Sequence, residues 1–189
     1  HDRPGRDFFE RAARVLQMHP DSLAHWAYVY GFLCHFALDT LSHDYVAGKE
    51  AASGLSHARI ESELERALML RDGLDPASHR PTGHLVPSEE NAAVIADFFP
   101  EVTQEQVLDS LRGMVFYLDL LVAPSALKRW VIFTALRLAG QFEKLGGLVV
   151  GPDPEPRCED SNAELLRRFD QAAELAARLI GDFDRVVES

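Results

Sequence analysis

The sequence predicts an all-α fold: a single-domain, mostly antiparallel bundle of six or seven helices. Apolar residues recur at helical spacing along most of the 189 residues. Capping residues and Gly- or Pro-rich breaks divide this pattern into stretches of helical length. No alternation of strand and helix patterns is present, and the one candidate strand, "GLVV" at residues 147–150, is too short to build a sheet.

Seven stretches are predicted to be helical, in chain order: residues 5–18, 23–43, 57–71, 88–99, 103–122, 125–144 and 161–187. Side chains with capping chemistry stand at four of their starts: Ser88, Thr103 with Gln106, Ser125, and Ser161 with Glu164. Segments rich in Gly or Pro separate helices, and the longer ones are predicted to be loops: residues 46–56, 72–88 and 146–160. The stretch 23–43 is apolar on most faces, which predicts a central helix surrounded by others.

The acidic balance of the chain bears on its partners. The formal net charge is −11 and the pI is near 5.1, which argues against a stable nucleic-acid partner, because such binding needs a basic face. Bound divalent ions would invert the local charge, so the acidity does not exclude a nuclease. No apolar run reaches the roughly 18–20 residues that span a bilayer, so no transmembrane segment is expected. The oligomeric state is left undetermined.

Cysteine usage and the start of the chain bear on the compartment. Two cysteines are too few for the usual disulfide framework of a secreted domain. Cys34 is expected to be a small core residue and Cys158 to be free, and a bridge between them stays open. The chain begins at His1 without a charged-then-apolar leader. This favours a cytoplasmic location over secretion, unless a leader has been cleaved or the chain begins inside the natural protein.

The predicted central helix carries three polar residues at intervals of four: His35, Asp39 and His43. Positions i, i+4 and i+8 of a helix form one stripe, with neighbouring side chains about 6 Å apart. Imidazole nitrogens and carboxylate oxygens are ligands that Zn²⁺ accepts. One ion cannot reach all three across two turns, so the stripe favours a cluster, with His35 and Asp39 on one ion and His43 on another.

A second pair with ligand spacing follows on the next predicted helix. His57 and Glu61 stand four residues apart, so one helical turn presents both side chains to the same point. Together with His43 they are expected to hold a second ion, while His1 is a further candidate for the first. Water on such ions becomes acidic enough to give a hydroxide that attacks an ester phosphate. Two of the remaining histidines, His19 and His25, flank the start of the central helix, and His25, ten residues before His35, is a poor fit to the same face.

The stretch "DSLAHWAYVYGFLCHFALDTLSHDYV" followed by "SHARIESELERALM" resembles the zinc-dependent phospholipase C family, whose fold is shared with the fungal zinc-dependent single-strand nucleases. The family signature is a His, three residues, an Asp, a His shortly after, and then a His followed four residues later by an acid. Five residues match it in order: His35, Asp39, His43, His57 and Glu61. The interval from Asp39 to His43 is shorter than in the secreted lipases of the family. In this respect the chain is more similar to an uncharacterised bacterial branch of the family.

The resemblance is dense over residues 19–71 and implies one all-helical domain over residues 1–189 that hydrolyses phosphodiester bonds, with phospholipid as the named substrate class. It implies that His1, His35 and Asp39 share one zinc ion, and that His43, His57 and Glu61 share a second. Further N-terminal ligands of the family are absent from the chain, so a third ion stays open; they would precede His1 if present.

Two alternatives to a phospholipase C-like hydrolase stay open. An HD-type nucleotide phosphohydrolase would use the dipeptide His43–Asp44, but it leaves His57 and Glu61 without a role. A non-catalytic metal-binding or structural helical scaffold is favoured by the absence of the N-terminal ligands.

Overall fold

The structure, a computed structural model, describes the backbone of residues 2–188 and the side chains of residues 5–188. Over this range the regular structure is helical and contains no strand, which confirms the all-α prediction. The α-helices are α1 Asp2–Met18, α2 Leu23–Ser53, α3 His57–Arg71, α4 Glu89–Asp97, α5 Gln104–Leu121, α6 Ala126–Leu138, α7 Phe142–Leu145 and α8 Glu159–Glu188. None of these helices combines the length with the apolar composition that crossing a bilayer demands. The mostly antiparallel arrangement stays a prediction.

Local capping signals explain where several helices begin. Ser88 and Ser125 each accept a hydrogen bond from the backbone N–H three residues further on. Thr103 forms the reciprocal pair predicted for it, because its hydroxyl accepts from the N–H of Gln106 while the Gln106 side chain accepts from the N–H of Thr103. Such caps satisfy backbone donors that have no partner inside the helix. These three predicted starts are therefore confirmed.

The predicted loop over residues 46–56 is wrong for most of its length, because α2 continues to Ser53. Gly48 lies within the helix, where its lack of a side chain weakens the pattern without breaking the backbone. Gly54, with φ +67, ends the helix in a left-handed conformation that favours glycine. The turn from α2 to α3 is consequently short, and α3 begins at His57 as predicted.

The second half of the chain differs from the prediction at two places. The helix predicted over residues 125–144 is interrupted at Gly140, whose φ of +65 ends α6 before the short α7 begins. The last helix starts at Glu159, because the turn Pro156–Cys158 leads directly into it. The capping box predicted for Ser161 is therefore absent, and its hydroxyl donates to the carbonyl of Cys158 instead.

Glu164, the other half of that predicted box, pairs within the helix. It accepts hydrogen bonds from the guanidinium groups of Arg167 and Arg168. These two hydrogen-bonded cations lower the pKa of the Glu164 carboxyl to about 2. The residue is thus committed to ion pairs on the helix surface rather than to a cap.

The chain divides into two compact units, and the single-domain prediction stays a prediction. Unit 1 contains residues up to 39, residues 85–115 and residues from 171 onward. Its main core is aromatic: Phe8, Phe98 and Phe183 are buried there with aliphatic residues of α1 and α2. Phe98 is fully buried and its ring contacts those of Phe8 and Tyr28.

Unit 2 contains residues 40–84 and 116–170, and its core includes a buried ion network. Glu63 is 1% exposed, and its carboxylate lies 3.2 Å from the guanidinium of Arg59 and 2.9 Å from that of Arg66. The same carboxylate accepts the backbone N–H of Glu155 at 3.1 Å. A buried charge of this kind is stable only while its partners stay in place. The network thereby fixes α3 against the segment that precedes α8.

The two cysteines do not form a bridge, since both are free. Cys158 is buried, and its expected free thiol is confirmed. Cys34 is exposed, so the expectation that it is a core residue was wrong. The reason is that α2 buries one stripe of its surface and leaves Cys34 on another.

Candidate metal-binding residues

The three predicted ligands of α2 lie on an exposed stripe. His35, Asp39 and His43 are all exposed, whereas Val29 and Leu33 of the same helix are buried. Two residues along a helix correspond to about 200° of rotation, so the stripe that begins at His35 faces away from Leu33. The expectation of a central helix surrounded by others was therefore wrong along this stripe. The ligands are available to solvent instead of being held inside a dry core.

Within unit 2 the structure brings His43 close to His57 and His57 close to Glu61, although the ligand atoms of the three do not all lie within 4.8 Å of one another. The ring centroids of His43 and His57 are 5.7 Å apart, and His57 Nε2 lies 3.2 Å from Glu61 Oε1. The turn at residues 54–56 makes this possible, because it returns α3 alongside the end of α2. We refer to His43, His57 and Glu61 as the α2–α3 group.

A neighbouring carboxylate contacts His57 of the α2–α3 group. Glu50 accepts the backbone N–H of His57 at 3.2 Å, and its other oxygen lies 3.8 Å from His57 Nδ1. A carboxylate on one ring nitrogen of a histidine leaves the other nitrogen to a ligand, as in metal sites. His57 is about one third exposed, so its ring has room to turn.

The other expected ligand set is less defined. His35 and Asp39 are exposed on α2, and His1 lies outside the residues that the structure describes. Their joint role on one ion stays a prediction.

A different cluster has the shortest spacing of potential ligands. Over residues 5–188, the one group of three His, Cys, Asp or Glu residues whose ligand atoms all lie within 4.8 Å of one another is His19, His25 and Asp97. Asp97 Oδ2 is 3.0 Å from His25 Nε2 and 3.7 Å from His19 Nε2. The two imidazole rings stack, with centroids 4.3 Å apart and planes 5° from parallel. We refer to these three residues as the turn cluster.

The surroundings of the turn cluster fix His25 in place. Its side chain is buried, and its ring contacts that of Phe98 in the core of unit 1. Its Nδ1 lies 2.6 Å from Ser22 Oγ. The Trp26 indole N–H donates to the carbonyl of Pro20 and braces the turn between α1 and α2. His25 is therefore oriented by two contacts, with Phe98 and with Ser22, before any ligand arrives.

Sequence reasoning did not predict the turn cluster. His19 and His25 are six residues apart with a proline between them, so no helical spacing places them on one face. Asp97 is 72 residues beyond His25 and carries no local signal of its role. The available hint was the pair of histidines on either side of a helix start, where a turn can fold one back upon the other.

A small cavity in unit 2 holds a further titratable pair. It has a volume of about 120 Å³, and Ser62, Glu65, Met69 and His79 are among the residues that line it. Burial raises the pKa of the Glu65 carboxyl, and the nearby His79 acts in the opposite direction. Glu65 is therefore a weaker acid than an exposed glutamate, although it is not part of either histidine group.

No family model, curated protein or solved structure matches the chain. The assignment of a function consequently rests on the residues and geometry described above.

Proposed function

We propose that the protein is a zinc-dependent phosphodiester hydrolase of the phospholipase C type, and that the α2–α3 group holds one of its ions. The observation that carries this proposal is that His57 lies close to both other residues, with its ring centroid 5.7 Å from that of His43 and its Nε2 3.2 Å from Glu61 Oε1. Two imidazoles and one carboxylate are the donor set that zinc accepts at sites with an open position. The resemblance to the zinc-dependent phospholipase C family names the same three residues.

The residues of the group have distinct tasks in this proposal. His57 and Glu61 occupy successive turns of α3 and present their ligand atoms together, while His43 approaches from α2. Glu50 holds the backbone of His57 and faces its second ring nitrogen. A bound zinc ion supplies a Lewis acid that neutralises phosphate charge and acidifies water. His35 and Asp39, with His1, are proposed to hold the other ion.

Exposed apolar side chains in unit 2 favour a lipid over a nucleic acid as the phosphodiester. Residues 116–138 of α5 and α6 expose more than half of several large apolar side chains: Phe116, Tyr117, Leu127, Trp130 and Leu138. Exposed apolar surface of this kind marks sites that bind apolar partners. The net charge of −11 works against a polyanion.

The HD-type alternative has less support. Asp44 is fully exposed, and the ion-pair contact described for it is with His43 at 3.8 Å. It lies beside its own neighbour and not toward α3. Substitution of Asp44 therefore serves as a matched control for the α2–α3 group.

The experiment measures hydrolysis of a chromogenic phosphodiester and of phosphatidylcholine vesicles by protein stripped of metal and then titrated with Zn²⁺. We expect activity to return with zinc, and His57→Ala and Glu61→Ala each to lower kcat/KM by more than about 100-fold, because a Lewis acid is worth several kcal/mol. Asp44→Asn should leave kcat/KM unchanged.

Other outcomes identify the alternatives. Loss of activity in Asp44→Asn with full activity in His57→Ala would support the HD type and contradict the proposal. A zinc-loaded protein that hydrolyses neither substrate would support a scaffold. Hydrolysis of the chromogenic ester without hydrolysis of the vesicles would support the phosphodiesterase activity and contradict the choice of a phospholipid as substrate.

A further inference from the structure

We propose that the turn cluster of His19, His25 and Asp97 is a separate metal site, which binds Zn²⁺ or a similar divalent transition-metal ion. The site lies wholly in unit 1 and shares no residue with the α2–α3 group. It does not rest on the proposed function, since none of its three residues is among the metal ligands that the phospholipase resemblance assigns.

The distances suit a small ion. Zinc bonds to His nitrogen and carboxylate oxygen are about 2.0–2.2 Å, so neighbouring ligand atoms of a tetrahedral site are about 3.3 Å apart. Asp97 Oδ2 lies 3.0 Å from His25 Nε2 and 3.7 Å from His19 Nε2, on either side of that spacing. His25 is buried, whereas His19 is 43% exposed and can turn its ring out of the stack to complete the set.

The contact with Ser22 prepares His25 for an ion. If Nδ1–H donates to Ser22 Oγ across their 2.6 Å contact, Nε2 presents a bare lone pair to the Asp97 carboxylate. Two such acceptors 3.0 Å apart repel each other unless a proton or a metal ion lies between them. Partners on the far nitrogen fix the tautomer of metal-binding histidines in this way. Without an ion, the other tautomer or a protonated ring would fill the contact with hydrogen bonds.

The donor set selects the ion. Two imidazole nitrogens and one carboxylate oxygen suit zinc and other borderline metals, whereas Ca²⁺ and Mg²⁺ require mostly oxygen ligands. Three protein ligands leave a fourth position for water or an anion. The cleft that Asp97 borders is also lined by Arg11 and Arg14, which makes an anion a suitable occupant of that position.

The test is calorimetric titration of metal-free protein with Zn²⁺, in a His35→Ala/Asp39→Ala/His57→Ala/Glu61→Ala background that removes the proposed ligands of both other ions. We expect one ion per chain to bind in this background. Adding His19→Ala or Asp97→Asn should weaken that binding more than about 100-fold, beyond the loss caused by removing an outer partner. Both residues are half-exposed, so their replacement should leave the fold intact, which circular dichroism checks. His84→Ala, at an exposed loop position, is the matched control and should bind zinc normally.

Two results would overturn the site. One is the absence of zinc binding in the His35→Ala/Asp39→Ala/His57→Ala/Glu61→Ala background. The other is binding that persists unchanged in both His19→Ala and Asp97→Asn. Imidazole ¹⁵N shifts give an independent readout, because Nε2 of His25 must change from a protonated or hydrogen-bonded nitrogen to a metal-bound one when Zn²⁺ is added. Shifts that stay constant through the titration would also reject the site.

Discussion

The turn cluster and the α2–α3 group use the same residue types, two histidines and one carboxylate, but they differ in how firmly their ligands are held. His25 is 6% exposed and is oriented by Ser22 and Phe98. In the α2–α3 group, the side chain of His43 is 55% exposed and that of His57 is 35% exposed. A fixed, partly buried set favours an ion that stays in place. An exposed set leaves space for a substrate beside the ion, as a hydrolytic site requires.

The buried cores next to the two histidine groups also differ in the interactions that order them. Unit 1 packs aromatic rings directly behind the turn cluster, with Phe98 touching His25. In unit 2, the network of Glu63 orders α3, which carries His57 and Glu61 on its surface. The packing of aromatic rings therefore holds the turn cluster in unit 1, whereas buried ion pairs help to hold α3 in unit 2. Three substitutions separate these contributions.

Replacing Phe98 with Ala should cause the largest change. The fully buried ring contacts Phe8, Tyr28 and His25, so its loss leaves a cavity and should lower the free energy of unfolding by about 3–5 kcal/mol. Chemical denaturation measures this loss. Phe116→Ala is the control, because that ring is mostly exposed and its removal should cost less than about 1 kcal/mol. Equal losses in the two variants would show that the aromatic core does not stabilise unit 1.

Replacing Glu63 with Gln should cost about 3 kcal/mol, because the guanidinium of Arg66 would remain buried without its counter-charge. The matched control is Glu61→Gln, two residues away on the same helix but exposed, which should change stability by less than about 0.5 kcal/mol. Thermal unfolding of both variants gives the comparison. A larger loss in Glu61→Gln than in Glu63→Gln would contradict the division between a stabilising and a ligand-bearing face of α3.

Replacing Ser22 with Ala should have the smallest of these effects. It removes the partner of His25 Nδ1 but no ligand, so zinc affinity of the turn cluster should fall about tenfold. Calorimetric titration measures the change. Ser125→Ala removes a cap of α6, a helix that carries no residue of either histidine group, and should leave zinc binding as it is. If Ser22→Ala binds zinc as tightly as the unchanged protein, the hydroxyl does not orient the ligand.

Much of the helical fold could be predicted from the sequence, because caps are local. Ser88, Thr103 with Gln106, and Ser125 act through residues three positions away, and all three starts were predicted. Gly48 gave no such signal, since a glycine inside a helix and one in a loop look alike without the surrounding packing. Ser161 was mistaken for a cap because the turn at residues 156–158 starts the helix earlier.

The two histidine groups also show that contacts set by local spacing can be predicted from the sequence, whereas contacts set by distant packing cannot. The approach of His57 to Glu61 follows from helical spacing, and that of His43 follows from a short turn between consecutive helices. The meeting of His25 with Asp97 depends on how α4 packs in unit 1, which residue spacing does not encode. The exposure of His35 and Asp39 was also missed, because apolar residues on most of α2 concealed which stripe is buried.

The most direct test of the proposed zinc enzyme is an anomalous difference map, recorded at the zinc edge from crystals grown with Zn²⁺. We predict a peak bounded by His43, His57 and Glu61, a peak beside His35 and Asp39, and a separate peak bounded by His19, His25 and Asp97. A map with no peak between His57 and Glu61 would contradict the central claim that α2 and α3 form a zinc site.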